Sequence, residues 1–358
     1  MNILHITVHM GDGAGKAIGG LAILGSCSGE HTHRILLLDT PVKMNHIERC
    51  KDNGIEIIER DKTNAAIVAA DVVVLSWWDG AVMDSFLAEF PEIPCRLLLW
   101  SHKNGYYDPP FPEGFVETFD ALLATSPFTL ENQNWQKKPH ALVYGFGDFR
   151  PENVPVKPDY RLNGNRFTIG YVGMPGYKRL PPDCLDYFAE VIKLIPNVQF
   201  IMAGETSDEF RRDIANCGFE QYFDLLGWVS DIPALLSTFD VFGYLMRPDT
   251  SATTENSVVE AMAAAVPCVV SKPPIGKYLL EDAVSGFLID NPEEYGRTMM
   301  KLYANSELRM RIGKAGREYA IHNYRVDENL ERFNCACQRV SVIPEYVHKI
   351  AGVNHIEL

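Results

Sequence analysis

The chain has 358 residues, 46% hydrophobic and 22% charged, which is enough for two domains with full cores. Its formal net charge is −14, spread evenly: 12 basic against 19 acidic residues in 1–150, and 21 against 28 beyond. That balance argues against a nucleic-acid partner, which demands a basic face, and no apolar run is long enough to span a bilayer.

The opening "MNILHITVHMGDG" lacks the basic and long apolar regions of a secretion signal. It reads as a buried strand entering a glycine loop, and a cytoplasmic location is expected. Strand patterns follow at "RILLLD", "IEII", "DVVVLSW", "RLLLW", "ALLAT" and "ALVYG", with helical patterns between them at 14–27, 43–53, 81–90 and 127–134. Residues 151–165, rich in proline and charge, read as a linker. A second alternation then runs through "FTIGYVG", "VQFIMAG", "FDLLG", "VFGYLM", "PCVVS" and "GFLID". Its helices are expected near 182–195, 206–216, 230–238, 255–265, 275–282 and 292–304, and two final helices near 306–323 and 326–341.

This double alternation predicts two doubly wound, parallel-sheet, Rossmann-like α/β domains facing across a cleft, with C-terminal helices. The expected division is 1–150, the linker 151–165, 166–325, and a C-terminal helix and tail 326–358 that packs back on the first domain. The eight cysteines are scattered without a Cys-x-x-Cys pair and read as reduced. His5, His9, His31 and His33 lie on a strand, its end and a loop, which does not suit a metal site. No Asp-x-Asp occurs, so no metal or other cofactor is expected.

Four segments carry chemistry. In "MGDGAGKAI", Gly11, Gly13 and Gly15 allow a ligand close to the backbone, although neither a dinucleotide fingerprint nor a Walker loop is present. In "YVGMPGYKRLPP", Lys178 and Arg179 follow a strand and stand ahead of a helix, where they can meet a diphosphate. In "RPDTSATTENSVVEAMA", hydroxyl residues precede a helix whose free amides suit phosphate. Asn256 and Glu260 share one face of that helix, and Glu260 interrupts an apolar run, which suits a grip on ribose hydroxyls. In "LLLWSHKNGYYDPPF", His102 ends a buried strand beside an aromatic loop suited to a sugar. Trp77, Trp78, Tyr106 and Tyr107 can stack on an acceptor or fill space.

Taken together, these stretches resemble the GT-B retaining glycosyltransferases of family 4, often called glycosyl transferases group 1. "ENSVVEAMAAAVPCVVS" is similar to that family's most diagnostic segment, and "LGWVSDIPALLSTFDVFGYLMRP" to its base-binding segment. The resemblance spans about residues 1–335. It implies transfer of a sugar from a UDP- or GDP-linked donor to a glycan or lipid-linked acceptor, without metal, in polysaccharide or glycoconjugate synthesis. It leaves weak peripheral membrane association open.

Residue by residue, the resemblance implies that Gly13 and Gly15 lie against the donor and that His102 touches the transferred sugar. Lys178 would neutralise the leaving diphosphate, and Glu260 would hold the ribose. Amides near Ser257 would meet phosphate. Gly173, Arg179, Glu255 and Asn256 complete the expected donor set, with Trp78, Tyr106 and Tyr107 on the acceptor side. The chain departs from the family twice. A glutamate usual eight positions before Glu260 is Ala252, and an arginine usual after Gly173 is Met174. Glu255, about 140° around the helix from Glu260, does not replace the missing glutamate. The alternative these departures suggest is a catalytically weak partner subunit that binds nucleotide-sugar.

Overall fold

The computed structural model describes residues 1–352 except 42, 108–109 and 163–165, with the backbone only at residue 12. The chain divides into two compact units: unit 1 holds residues 1–149, 251–254 and those from 326 on, and unit 2 holds Arg150–Thr250 and Glu255–Arg325.

Unit 1 is built on a seven-stranded parallel sheet. Its strands are β1 (Asn2–Thr7), β2 (Thr32–Leu37), β3 (Glu56–Glu59), β4 (Val72–Trp77), β5 (Leu97–Ser101), β6 (Ala121–Ala124) and β7 (His140–Leu142). They lie in the order β3-β2-β1-β4-β5-β6-β7. Every residue of β4, β5 and β6 is buried, as expected of strands covered on both faces. Ile3, Val72, Val74, Leu98 and Trp100 pack on one face with the Gly20–Cys27 and Val326–Ser341 helices. Leu4, Ile6, Val73, Leu75 and Leu99 pack on the other.

Unit 2 repeats the scheme with β8 (Phe167–Val172), β9 (Val198–Ala203), β10 (Phe223–Gly227), β11 (Val241–Tyr244), β12 (Cys268–Ser271) and β13 (Phe287–Ile289). Their order is β10-β9-β8-β11-β12-β13, again parallel throughout. In each sheet the winding direction reverses, at β1/β4 and at β8/β11. Ligands of open α/β sheets bind beyond the carboxyl ends of the strands at such reversals.

Two expectations need correction. The glycine segment is not an open loop. Asp12–Ala14 is helical, Gly15–Gly19 forms a π-helical turn, and the Gly20–Cys27 helix continues directly. Buried Ala14, Ala17, Ile18, Leu21 and Ala22 recur at helical spacing, and their packing outweighs the low helix propensity of glycine. The supposed linker is also structured where it is described. The Lys157 amide donates to the Ala264 carbonyl at 2.8 Å, the Tyr160 hydroxyl to Ala265 at 2.8 Å, and Arg309 Nε to the Tyr160 carbonyl at 3.1 Å. Those contacts make 157–160 part of unit 2. Residues 163–165 lie outside the described residues.

Candidate functional site

In unit 1, the ends of β1, β4 and β5 bring His9, Trp78 and His102 together. Trp78 stacks on His102 with centroids 4.6 Å apart and planes 3° apart, and Trp100 packs on the same imidazole at 4.6 Å. His9 lies 6.3 Å from Trp78. His102 is 6% exposed, and its Nε2 has no hydrogen-bond partner among the described residues. Burial pushes its pKa down to about 3. At neutral pH this imidazole can therefore exchange hydrogen bonds but carries no charge. Trp78 Nε1 is likewise without a partner among the described residues.

The glycines differ in what they do. No atom lies within 4 Å of the point where a Cβ on Gly13 would stand, so its surface is open. A Cβ on Gly15 would overlap the His46 ring and the Met10 carbonyl, so internal packing alone accounts for that glycine. Tyr106 stacks on Phe128 at 4.6 Å, and Tyr107 lies 6.4 Å from the same ring. Both are half-buried, and their amides donate to Asn104 Oδ1 at 2.9 and 3.3 Å.

Asn104 was not singled out by the sequence, yet it is fully buried and organises the surrounding loops. Its amide donates to the Ser251 carbonyl and its Nδ2 to the Ala252 carbonyl, both at 2.9 Å. Thr253 Oγ1 donates to the His102 carbonyl at 3.5 Å, and Thr254 Oγ1 to Thr125. Ala252 is 8% exposed, and its carbonyl is held by Asn104.

In unit 2, β8 ends at a crowded turn. The Gly173 carbonyl fills the space a Cβ on Gly204 would need, and a Cβ on Gly173 itself would stand 2.9 Å from the Tyr171 hydroxyl. Lys178 and Arg179 follow, and they have different surroundings. Lys178 is exposed and makes no ion pair among the described residues. Arg179 Nη1 lies 3.9 Å from Glu255 Oε1, while the Tyr244 hydroxyl donates to Glu255 Oε2 at 2.5 Å. Tyr244 belongs to β11 and is buried, and its phenol pKa is driven well above 10, first by burial and then by Glu255. It therefore stays a donor. The cluster thus holds Arg179 rather than Lys178, and Tyr244 enters it without having been anticipated; nothing local in "VFGYLM" marks that tyrosine.

Glu255 begins the Asn256–Ala263 helix, whose N-cap makes no side-chain capping bond. Val258, Val259, Ala261, Met262 and Ala263 are buried, while Asn256, Ser257 and Glu260 are half-buried. Asn256 and Glu260, four residues apart, line one face. The glutamate in the apolar run therefore stands at the border of the helix's packing surface, where a carboxylate keeps access to solvent or ligand. Among the described residues, no three His, Cys, Asp or Glu side chains converge as a metal set. His5 Nε2 and His33 Nδ1 instead share a 2.9 Å hydrogen bond in the core, and both rings pack on Phe333.

Two parallel doubly wound units, each with its polar residues after the strands at the winding reversal, define the GT-B class of α/β fold. Solved structures with this fold include Anabaena HepE in complex with UDP and glucose, at 16% identity and a TM-score of 0.69 over 95% of this chain and 100% of that one. Sucrose-phosphate synthase from Thermosynechococcus elongatus is similar at 14% identity and a TM-score of 0.70, over 95% and 99%.

Residues 156–319 match the model of the family described as glycosyl transferases group 1. Among curated relatives, spore coat protein SA of Bacillus subtilis is 33% identical over 49% of this chain and 50% of its own length. An Escherichia coli UDP-Gal:alpha-D-GlcNAc-diphosphoundecaprenol alpha-1,3-galactosyltransferase is 30% identical over 36% of this chain and 34% of its own. The matches thus span half or less of these relatives' lengths.

Proposed function

We propose that this chain is a retaining glycosyltransferase that moves a sugar from a UDP-linked donor to a hydroxyl of a glycan or lipid-linked acceptor. The observation that carries the reading is in unit 2, where Glu255 brings the Arg179 guanidinium to the uncapped start of the Asn256–Ala263 helix. A forked cation beside a helix N-terminus is suited to a diphosphate. Glu260, on the next turn, suits the two ribose hydroxyls. Support for UDP comes from HepE, solved with UDP and glucose, and from the galactosyltransferase, named for a UDP-linked donor. The same galactosyltransferase is named for a lipid-diphosphate acceptor, which supports that acceptor class here.

As the glycosidic bond breaks, negative charge grows on the leaving diphosphate. Arg179, with Lys178 beside it in sequence, neutralises that charge, and the helix dipole adds to the effect. The departing phosphate oxygen takes the acceptor's proton on the same face, so no protein nucleophile is required. In unit 1, neutral His102 and Trp78 Nε1 read sugar hydroxyls. The protein is expected to need no metal.

Calorimetry with UDP, GDP and ADP, without added metal, tests the reading. UDP binds selectively, and Glu260→Ala weakens it by roughly tenfold or more, the worth of hydrogen bonds to a charged group. Failure of all three nucleotides to bind would overturn the donor site.

A further inference from the structure

Helix N-caps favour the short polar residues Ser, Thr, Asp and Asn, whose side chains fold back onto the first amides. Glu255 holds that position and makes no such bond. Its carboxylate turns instead to Tyr244 at 2.5 Å and, on the other oxygen, toward Arg179 at 3.9 Å. Tyr244 is firmly seated. It is 5% exposed and stacks on Tyr171 at 5.2 Å and on Phe242 at 5.7 Å, with planes within 13° of parallel. The hydroxyl cannot shift without moving that ladder of rings.

The pair is lopsided. The Glu255 side chain is 13% exposed and that of Arg179 44%, so the carboxylate faces inward and the guanidinium outward. At 3.9 Å the ion pair is at its outer limit, and Arg179 makes no side-chain hydrogen bond among the described residues. Its N–H fork is thus steered without being used up. The backbone beneath is fixed, with the Arg179 amide donating to Gly176 and its carbonyl accepting from the Arg247 amide, at 2.9 and 3.0 Å. Met174, where an arginine would be usual, is 53% exposed and brings no charge.

We propose that Glu255, anchored by Tyr244, is a positioning residue that aims Arg179 at the donor's second phosphate and so sets this chain's preference for a nucleoside diphosphate over the monophosphate. The proposal rests on the donor reading above. An exposed arginine loses considerable side-chain freedom on gripping a ligand, and a carboxylate fixed behind it removes part of that freedom beforehand.

The test is calorimetric titration of UDP and UMP into the wild type, Glu255→Gln, Tyr244→Phe, Arg179→Met and the Glu255→Gln/Arg179→Met double variant. The readout is the ratio of the UMP to the UDP dissociation constant. Arg179→Met is expected to lower it by about tenfold or more, as loss of a charge-assisted bond does. Glu255→Gln and Tyr244→Phe each lower it about threefold to tenfold, and Glu255→Gln adds no loss once Arg179 is gone. UMP affinity and the thermal midpoint of each variant stay near wild type, which separates lost aim from lost fold. A ratio unchanged or raised in Glu255→Gln overturns the proposal, because Glu255 then does no more than repel phosphate. An equal loss with and without Arg179 overturns it too. If the wild type binds UMP but gains nothing from the second phosphate, the aimed-arginine role fails while the nucleotide site stands. If it binds neither, the donor reading falls and takes this proposal with it.

Discussion

His102 has two indoles against its ring and no charged group as the cause of its lowered pKa. A histidine in that setting suits the task of holding a hydroxyl and is poorly suited to carrying a proton charge. If it binds a sugar hydroxyl as a neutral group, His102→Gln, which still hydrogen-bonds, retains most of the turnover. His102→Leu loses roughly tenfold, the worth of one hydrogen bond. The pH profile of kcat/KM in wild type shows no ionisation near 6.5 that disappears in His102→Gln. If that limb is present and does vanish, His102 titrates in the working enzyme. The sequence exposed this residue because a polar side chain at the end of an apolar strand is conspicuous. Asn104 and Tyr244 were not legible in that way. Asn104 acts through residues 251–254, far along the chain, and Tyr244 acts through Glu255; both roles depend on contacts that no local pattern encodes.

Among the elements, the strands were readable because parallel, doubly covered strands are continuous apolar runs, and "VVVLSW" is buried throughout. Most helices were readable from their apolar spacing. The Thr63–Val68 helix was missed because six residues offer too few turns to show a period. The segment after the last helix was expected to pack back on the first domain and belongs to unit 1, but its partners were not legible. Its residue Tyr346 pairs with Cys95 through two backbone hydrogen bonds, and Arg96 binds the Ile343 carbonyl at 2.7 Å, a pairing of distant residues without a sequence signature. The glycine segment failed for a different reason. Glycine marks a turn only when packing does not reward a helix, and here a buried stripe does. This gives Gly13 and Gly15 separable roles. Gly15→Ala forces a Cβ into the His46 ring and the Met10 carbonyl, and lowers stability by about 1–3 kcal/mol. Gly13→Ala points its methyl into open space and leaves the unfolding free energy within about 1 kcal/mol of wild type. Urea denaturation of both variants decides the matter; equal losses would mean that Gly15 is not fixed by packing.

For the whole molecule, the histidines with strongly lowered pKa all lie in unit 1. His5 is driven well below 6.5 by burial and then by His33, and His33 is pushed down to about 3 by burial, His31 and the N-terminal ammonium. His102 joins them, whereas the one histidine of unit 2 is His322. Above pH 6.5 these groups are neutral whether the chain is folded or not, and they leave stability unchanged. Below 6.5 the unfolded chain takes up protons that the folded one refuses, so stability falls with pH down to about 3, where His33 and His102 begin to protonate in the folded state. Each of the three therefore destabilises the folded chain as the pH falls through that window, and all three act on unit 1. Unit 1 is therefore expected to unfold in mild acid before unit 2, and the tryptophans provide the probe. Trp77, Trp78, Trp100 and Trp135 belong to unit 1, while Trp228 in unit 2 is 77% exposed and changes little on unfolding. Urea titrations at pH 7.5 and 5.0, followed by tryptophan fluorescence and far-ultraviolet circular dichroism, separate the two units. At pH 5.0 the fluorescence midpoint moves to lower urea and precedes the later part of the dichroism change. Coincident curves at both pH values would mean that the units share their stability and that acid acts on the chain as one body.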